Sequence, residues 1–354
     1  MSTDAVILVG GFGTRLRPLT LSAPKPMLPT AGVPFLTHLI SRLREAGITH
    51  VVLGTSYRAE VFEDYFGDGS RFGVDLKCVV EQEALGTGGG IRNVAPALRA
   101  DTVLVFNGDN MIGVDLVDFV ETHVKTDADV TLCLTKVEDA RAYGCVPTDV
   151  DGRVEAFLEK DPNPVTDQIN AGLYAFKRSV IDTIPTGRPV SVEKETFPGL
   201  LASGANVRGY LTTSYWRDFG TPTDFVCGSA DLVRGIAPSP AVPQTGERLL
   251  MPGSSVSPKA HIYGGSTIGT RTAVGAGADI DSSVVFDDAR IGAGAVIRRS
   301  IIGKGVTVHP GALIEDAVIG DGASIGAGTE LRHGARIWPG VDLAEGSIRF
   351  SSDL

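Results

Sequence analysis

Through the last third of the sequence an aliphatic residue returns every six positions: Ile262, Ile268, Val274 and Ile280; after a slip of one, Val285, Ile291 and Ile297; after another, Ile302, Val308 and Ile314; and finally Ile319, Ile325, Leu331 and Ile337. Glycine follows many of these, with a small residue four positions on, as in IGTRTA, VGAGAD, IGAGAV and IGDGAS. This is the pattern of a hexapeptide-repeat parallel β-helix, in which each triangular coil of three hexapeptides turns one aliphatic residue per face inward and uses Gly and Ala at its tight corners. It also accounts for the 44 glycines of the chain. A β-helix needs no ligand, so the repeat by itself specifies a scaffold or an assembly surface. Hexapeptide domains also occur in acyltransferases, which use a histidine. Here His309 and His333 occupy regular repeat positions with no inserted loop around them, and both are read as surface residues.

The chain has 354 residues, more than the roughly 250 to 300 at which a single core stops growing, so two domains are expected. From residue 1 to 234, short β-rich runs alternate with helical patterns, the signature of βαβ units around a mostly parallel sheet and hence of an α/β, Rossmann-like fold. Strands are predicted at 5–9, 50–54, 75–80, 102–107 and 130–135. A helix is predicted at 35–47, where Leu36, Leu39, Ile40 and Leu43 share one face. CVPTDVDGRVEAFLEK (145–160) reads as two strands about an Asp-Gly turn, a hairpin set on the sheet. GIAPSPAVPQTGE breaks the periodicity, so residues 235–250 are expected to be a linker and 251–354 the β-helix.

A net charge of −10 argues against a nucleic-acid surface. The four cysteines are far apart with no C-x-x-C spacing, which points to neither a zinc site nor a disulfide framework. No run of 18 apolar residues and no basic, cleavable leader is evident, so a cytoplasmic protein without a membrane partner is expected.

The chemistry gathers in LVGGFGTRLRPLTLSAPKPMLP (8–29). An apolar strand runs into glycines as in a phosphate loop, yet neither standard pattern fits. A G-x-G-x-x-G starting at Gly11 and Gly13 meets Leu16 at its third glycine, and no G-x-x-x-x-G-K-[ST] occurs. The backbone amides of Gly10, Gly11 and Gly13 can ring a phosphate, and the following turn adds the polarity of a helix start. Arg15 supplies charge, and Lys25, between Pro24 and Pro26, is held with little entropy to lose. Two cations and a nest imply more than one phosphate. VFNGDN (105–110) delivers Asp109 at the carboxyl end of a strand, where open α/β sheets bind ligands, and a carboxylate there suits Mg²⁺. Asp218, in YWRDFGTP (215–222), precedes a Gly-Thr-Pro turn into a helix. Either aspartate could equally be a helix cap or turn residue.

GGFGTRLRPLT and PKPMLP, followed in order by LGTGG, NGD, YG, FLEK, NAG and WRDFGTP, resemble the sugar-1-phosphate nucleotidylyltransferases. The similarity covers nearly the whole chain and is greatest to the mannose-1-phosphate guanylyltransferases that carry a C-terminal left-handed β-helix. The resemblance implies that Gly10, Gly11, Gly13, Thr14, Arg15 and Lys25 bind the nucleotide phosphates. It sets Glu81, Gly86 and Thr87 against the base, and gives Asp109 and Asp218 to Mg²⁺. Gly144, Glu159, Asn170 and Gly172 line the sugar, with Lys160 on its phosphate. Asp161 stands where many relatives have proline directly after FLEK, a departure that bears on the shape of the loop after Lys160 and not on the charge of Lys160 itself.

The implied reaction joins GTP and mannose 1-phosphate into GDP-mannose and pyrophosphate. Because the attacking phosphate oxygen is already largely ionised at neutral pH, with a second pKa of about 6, no histidine base is needed. Guanine offers adjacent N–H donors, for which Glu81 is a natural partner, although with Glu83 it could form a solvated acidic loop. Thymidylyl, uridylyl or adenylyl transfer to glucose 1-phosphate is the alternative within the class. Outside it stand a non-catalytic regulatory paralogue and a bifunctional acyltransferase. Self-association is expected from the open end of the β-helix with Trp338 and Phe350 nearby.

Overall fold

The computed structural model describes residues 2–56, 58–159, 162–242 and 244–351. The chain divides into two compact units, each drawn from separated stretches: Met1–Gly11 with Leu39–Trp216, and Phe12–His38 with Arg217–Leu354. A cut at residue 234 runs through the second unit.

The first unit is built on a nine-stranded sheet. Four strands lie parallel in the order Thr102–Asn107, Thr3–Leu8, His50–Thr55 and Asp75–Val80. The Val, Ile and Leu runs of the first three are buried on both faces, as interior parallel strands require, whereas Asp75–Val80 lies at the sheet edge with Val80 exposed. The long strand Gln168–Lys177 joins antiparallel beside Thr102–Asn107. It pairs onward with Val130–Lys136, which carries Val207–Leu211 in parallel. The predicted strands lie within two residues of those observed. The hairpin after residue 144 also forms, but its paired strands are only Gly144–Cys145 and Leu158–Glu159, with a single bridge, Thr148 to Val154, inside it. Pro147 lacks the backbone donor that would continue the ladder. The helix Phe35–Glu45 buries the expected stripe of Leu36, Leu39, Ile40 and Leu43.

In the second unit three six-stranded parallel sheets stack into the β-helix. Every repeating aliphatic residue from Ile262 to Ile337 is at most 7% exposed. The slips of one have a structural cause. Cross-strand partners 18 apart (Leu250 with Ile268, Ile319 with Ile337) give way to partners 17 apart (Ile268 with Val285, Val285 with Ile302, Ile302 with Ile319). The short coils lose a residue at one corner, where Ser282, Arg299 and Asp316 take left-handed φ values of 45°, 45° and 48°. Inside that corner buried serines bridge successive coils: Ser283 N donates to Ser266 Oγ and Ser300 N to Ser283 Oγ, each at 3.1 Å.

One expectation is corrected. Arg248–Leu250, assigned to the linker, is the first strand of the β-helix and pairs with Ser266–Ile268. Leu250 stands in register with the inward Ile268, although at the end of the stack it is still 40% exposed, and the proline-rich run before it hides the period.

Residues 12–38 are bound to the C-terminal part of this unit by specific contacts. Phe35 and Phe219 rings meet at 4.7 Å. Ala31 N donates to Ser229 Oγ at 2.9 Å. His38 Nε2 donates to Thr30 O at 2.8 Å, so its Nδ1 accepts from Ser239 Oγ at 2.7 Å. The helix Pro222–Arg234, capped by Thr221, lies on the β-helix, with Phe225 edge-on to Phe286.

Candidate active site

Within the second unit, the loop after Gly11 turns on Gly13, whose φ of +58° is left-handed. Close approach excludes a side chain there: a Cβ would lie 2.9 Å from Thr20 Cγ2 and 3.0 Å from Lys25 Cβ. Thr20 Oγ1 donates to Gly13 O at 2.9 Å. A single turn of 3-10 helix, Thr14–Leu16, follows, anchored by the fully buried Leu16. Arg15 projects from it with a side chain 63% exposed, its Nη2 3.7 Å from Asp218 Oδ2. Lys25 begins a second 3-10 turn and is the opposite case, with a side chain only 10% exposed and its Nζ 3.6 Å from Asp218 Oδ1. The three charged residues singled out from sequence thus converge, and both cations stand at ion-pair distance from one carboxylate. Gly220 completes the group, for the Arg15 guanidinium lies against it where a side chain would otherwise be.

The remaining candidates belong to the first unit. The register Leu8 opposite Asn107 sets Gly10 and Gly11 at the same sheet end as Asp109. Gly10 O accepts from Ser56 Oγ at 2.8 Å. Gly11 has open space where a Cβ would go, so the protein's own packing does not require glycine there. Asp109, half-buried, follows Gly108, whose amide donates to Leu8 O at 2.9 Å.

Glu81 continues from the strand Asp75–Val80, and its Oε2 accepts from Leu85 N at 3.2 Å. Its Oε1 lies over Gly90 of the helix Gly86–Val94, 2.6 Å from where a Cβ would be. Burial raises this carboxyl above the usual glutamate range. Gly86 has a φ of +70° and sits against Val190 O. Thr87 Oγ1 donates to Glu193 Oε2 at 2.8 Å and accepts from Val192 N at 2.9 Å, so its hydroxyl is engaged with the segment across from the helix.

Gly144 is paired with Glu159, of which only the backbone is described, and Lys160 lies outside the described residues. Asn170 stands at a register shift in its strand; its Nδ2 donates to Tyr174 Oη at 2.7 Å and its Oδ1 accepts from Gly172 N at 3.0 Å. Gly172, at φ +81°, leaves room for Asn107 and Asn110. Asn110 Nδ2 and Trp216 Nε1 both donate to Ala171 O, at 3.1 and 2.9 Å. Asn107, Asn110 and Trp216 were present in the quoted motifs without a role. Gly220 was quoted too, and nothing local marks its contact with Arg15.

Among the described residues no three His, Cys, Asp or Glu side chains gather into a protein-only metal cage. A single carboxylate, whether that of Asp109 in the first unit or of Asp218 in the second, offers hard oxygens of the kind that suit a cation taking most of its ligands from phosphates and water. No helix among the described residues is long and apolar enough to cross a membrane.

Residues 4–234 match the family model described as nucleotidyl transferase, and residues 244–347 that described as GMPPB C-terminal domain. The chain is 62% identical over 353 residues to the mannose-1-phosphate guanylyltransferase of Mycobacterium tuberculosis, covering 99% of this chain and 98% of that one. To the catalytic subunit beta of the Drosophila melanogaster enzyme of that name it is 39% identical over 229 residues, 64% of this chain and 62% of that one. Among solved structures, HddC from Yersinia pseudotuberculosis complexed with GMP-PN aligns with a TM-score of 0.57 at 30% identity, over 66% of this chain and 100% of that one. The chain therefore belongs to the nucleotidyl transferase family, among its mannose-1-phosphate guanylyltransferases.

Proposed function

We propose that the protein transfers the guanylyl group of GTP to α-D-mannose 1-phosphate, forming GDP-mannose and releasing pyrophosphate. The observation that carries this reading is the 62% identity along 99% of the chain to an enzyme of that name. The geometry agrees: Arg15 and Lys25 flank the Asp218 carboxylate at 3.7 and 3.6 Å, an arrangement suited to a polyanion and a divalent cation.

In the reaction an oxygen of the sugar phosphate forms a bond to the α-phosphorus as the bond to the β-phosphate oxygen breaks, and pyrophosphate leaves in line. The nucleophile is already anionic, so the side chains position charge rather than move protons. Arg15 and Lys25 take the nucleotide phosphates, together with the amides of Gly10, Gly11, Gly13 and Thr14. The open space at Gly11 is what backbone approach to a phosphate needs. Lys160 meets the sugar phosphate, while Gly144, Glu159, Asn170 and Gly172 line the sugar. Glu81, Gly86 and Thr87 lie against guanine. Nucleotidyltransferases of this family work with a divalent cation; we assign Mg²⁺, held by Asp109 and Asp218, which neutralises phosphate charge.

The test is pyrophosphate release across GTP, dTTP, UTP, ATP and CTP, each with mannose 1-phosphate and glucose 1-phosphate, with and without EDTA and for Asp109→Ala. A maximum at GTP with mannose 1-phosphate, lost with EDTA and in the variant, is expected. A maximum at another pair would overturn the substrate assignment while keeping the class, and inactivity with every pair would overturn the catalytic reading.

A further inference from the structure

The β-helix of this chain does more than stack. Arg336 lies on its strand Arg336–Ile337, with Ile337 turned into the core and Arg336 on the outside. The Arg336 guanidinium donates through Nη1 to the backbone carbonyl of Arg15, at 2.8 Å, and to that of Arg17. The 3-10 turn uses the carbonyls of Gly13 and Thr14 for its own bonds, from Leu16 N at 3.0 Å and Arg17 N at 3.2 Å. The next outward-facing carbonyls are therefore taken by a cation from the β-helix.

Four β-helix arginines are matched by acids: Arg271 by Asp288, Arg298 by Asp279, Arg299 by Glu315 and Asp316, and Arg332 by Glu315 and Glu330. Among the described residues Arg336 has no carboxylate within ion-pair range. Partial burial without an acidic partner disfavours its charged form. Its two backbone acceptors are thus its principal polar partners in the structure.

We propose that Arg336 is a positioning residue for nucleotide binding, clamping the backbone on either side of Leu16 and thereby aiming the Arg15 side chain at the polyphosphate. This rests on the reading above that Arg15 binds the nucleotide. Arg15 is mostly exposed, and among the described residues its ion pair is the 3.7 Å contact to Asp218, so the direction of its side chain depends on the backbone from which it springs. Without the clamp, the loop must be ordered when the nucleotide arrives, and that cost falls on the nucleotide and not on the sugar phosphate.

The experiment compares wild type with Arg336→Met, Arg336→Lys and the control Arg332→Met in the full chain. It reads steady-state kinetics, thermal midpoint, and hydrogen exchange at the amides of Leu16 and Arg17 without ligand. Losing a charge-assisted bond predicts about a tenfold fall in kcat/KM for the nucleotide in Arg336→Met. An unchanged KM for the sugar phosphate, an unchanged midpoint, faster exchange at the two amides and partial recovery in Arg336→Lys are expected. Arg332→Met should match wild type in kinetics. Unchanged exchange, kinetics within twofold of wild type, or a loss shared equally by both substrates with a lowered midpoint would each overturn the proposal. If wild type is inactive with every substrate pair, the catalytic reading fails by itself, and the exchange data alone decide whether Arg336 orders the loop.

Discussion

Gly220 offers a direct way to displace Arg15 without touching it. An alanine methyl at this position would lie 2.7 Å from Arg15 Cζ and 3.0 Å from Asp218 Oδ1. Comfortable carbon contacts lie at about 3.5 to 4.0 Å, so the guanidinium must retreat by about 1 Å. The backbone of Gly220 does not have the positive φ that would penalise alanine. The Arg15 side chain is 63% exposed and free to yield, so folding stability should hardly change. Catalysis should respond strongly, because a misplacement of about 1 Å at a reacting centre can cost about 100-fold in rate, equivalent to about 2.7 kcal/mol. Pyrophosphate release from GTP and mannose 1-phosphate should therefore show kcat/KM down by about two decades in Gly220→Ala, with the thermal midpoint within a degree or two of wild type. The double variant isolates the cause: in an Arg15→Ala background the Gly220 substitution should add little, since the group it displaces is gone. An undiminished effect in that background would refute the displacement argument, and so would wild-type kinetics in the single variant.

Further outcomes are expected from other sites. Burial lowers the His38 pKa from 6.5 to about 4, so below pH 6.5 the unfolded chain takes up a proton that the folded chain refuses. Stability should fall as pH drops from 6.5 towards 4 and be insensitive to His38 above that window; a midpoint-versus-pH curve identical in His38→Gln would contradict this. Gly172→Ala forces a φ of +81° on a residue with a Cβ and brings it 2.9 Å from Asn107 Nδ2, so it should lower both activity and stability, the backbone term alone costing about 1–2 kcal/mol. Chemical denaturation measures the second effect, and a variant as stable as wild type would remove the strain argument. Glu81→Gln should flatten the preference for GTP over dTTP and UTP if the carboxylate reads guanine; an unchanged preference in competition assays would leave Glu81 with only its bond to Leu85.

What was legible in the sequence follows the range of the forces involved. The hexapeptide aliphatics from Ile262 to Ile337 could be placed to the residue, because each coil repeats one local rule and Ile268, Val285 and Ile302 meet only their own kind. The interior parallel strands were legible for a similar reason, since burial on both faces leaves an unbroken apolar run such as TVLVFN. Arg15, Lys25 and Asp218 were identified as charges, but their convergence is a tertiary fact: Asp218 lies almost two hundred residues beyond Lys25. Arg336 gave no signal, because an arginine beginning a β-helix strand looks the same whether it faces water or two carbonyls. Thr87 and Asn170 were found as residues, while the partners that occupy their polar atoms, Glu193 and Tyr174, lie on segments or bulges that no periodicity marks. The start of the β-helix at Arg248 was missed because prolines on its approach obscure the first coil.

The division of the chain also sets an order of events during synthesis. The chain passes between its two units three times, at residues 11 to 12, 38 to 39 and 216 to 217. Residues 12–38 therefore leave the ribosome long before Phe219, Ser229 and Ser239, the residues that hold Phe35, Ala31 and His38. At about 5 to 20 residues per second that interval is on the order of 10 to 40 s, during which the segment carrying Arg15 and Lys25 has no native surroundings in its own unit. Translation stopped at residue 216 would thus yield a polypeptide with an intact run of central strands and a segment around Arg15 and Lys25 that never matures, so nascent chains should become resistant to protease around residue 25 only late in elongation.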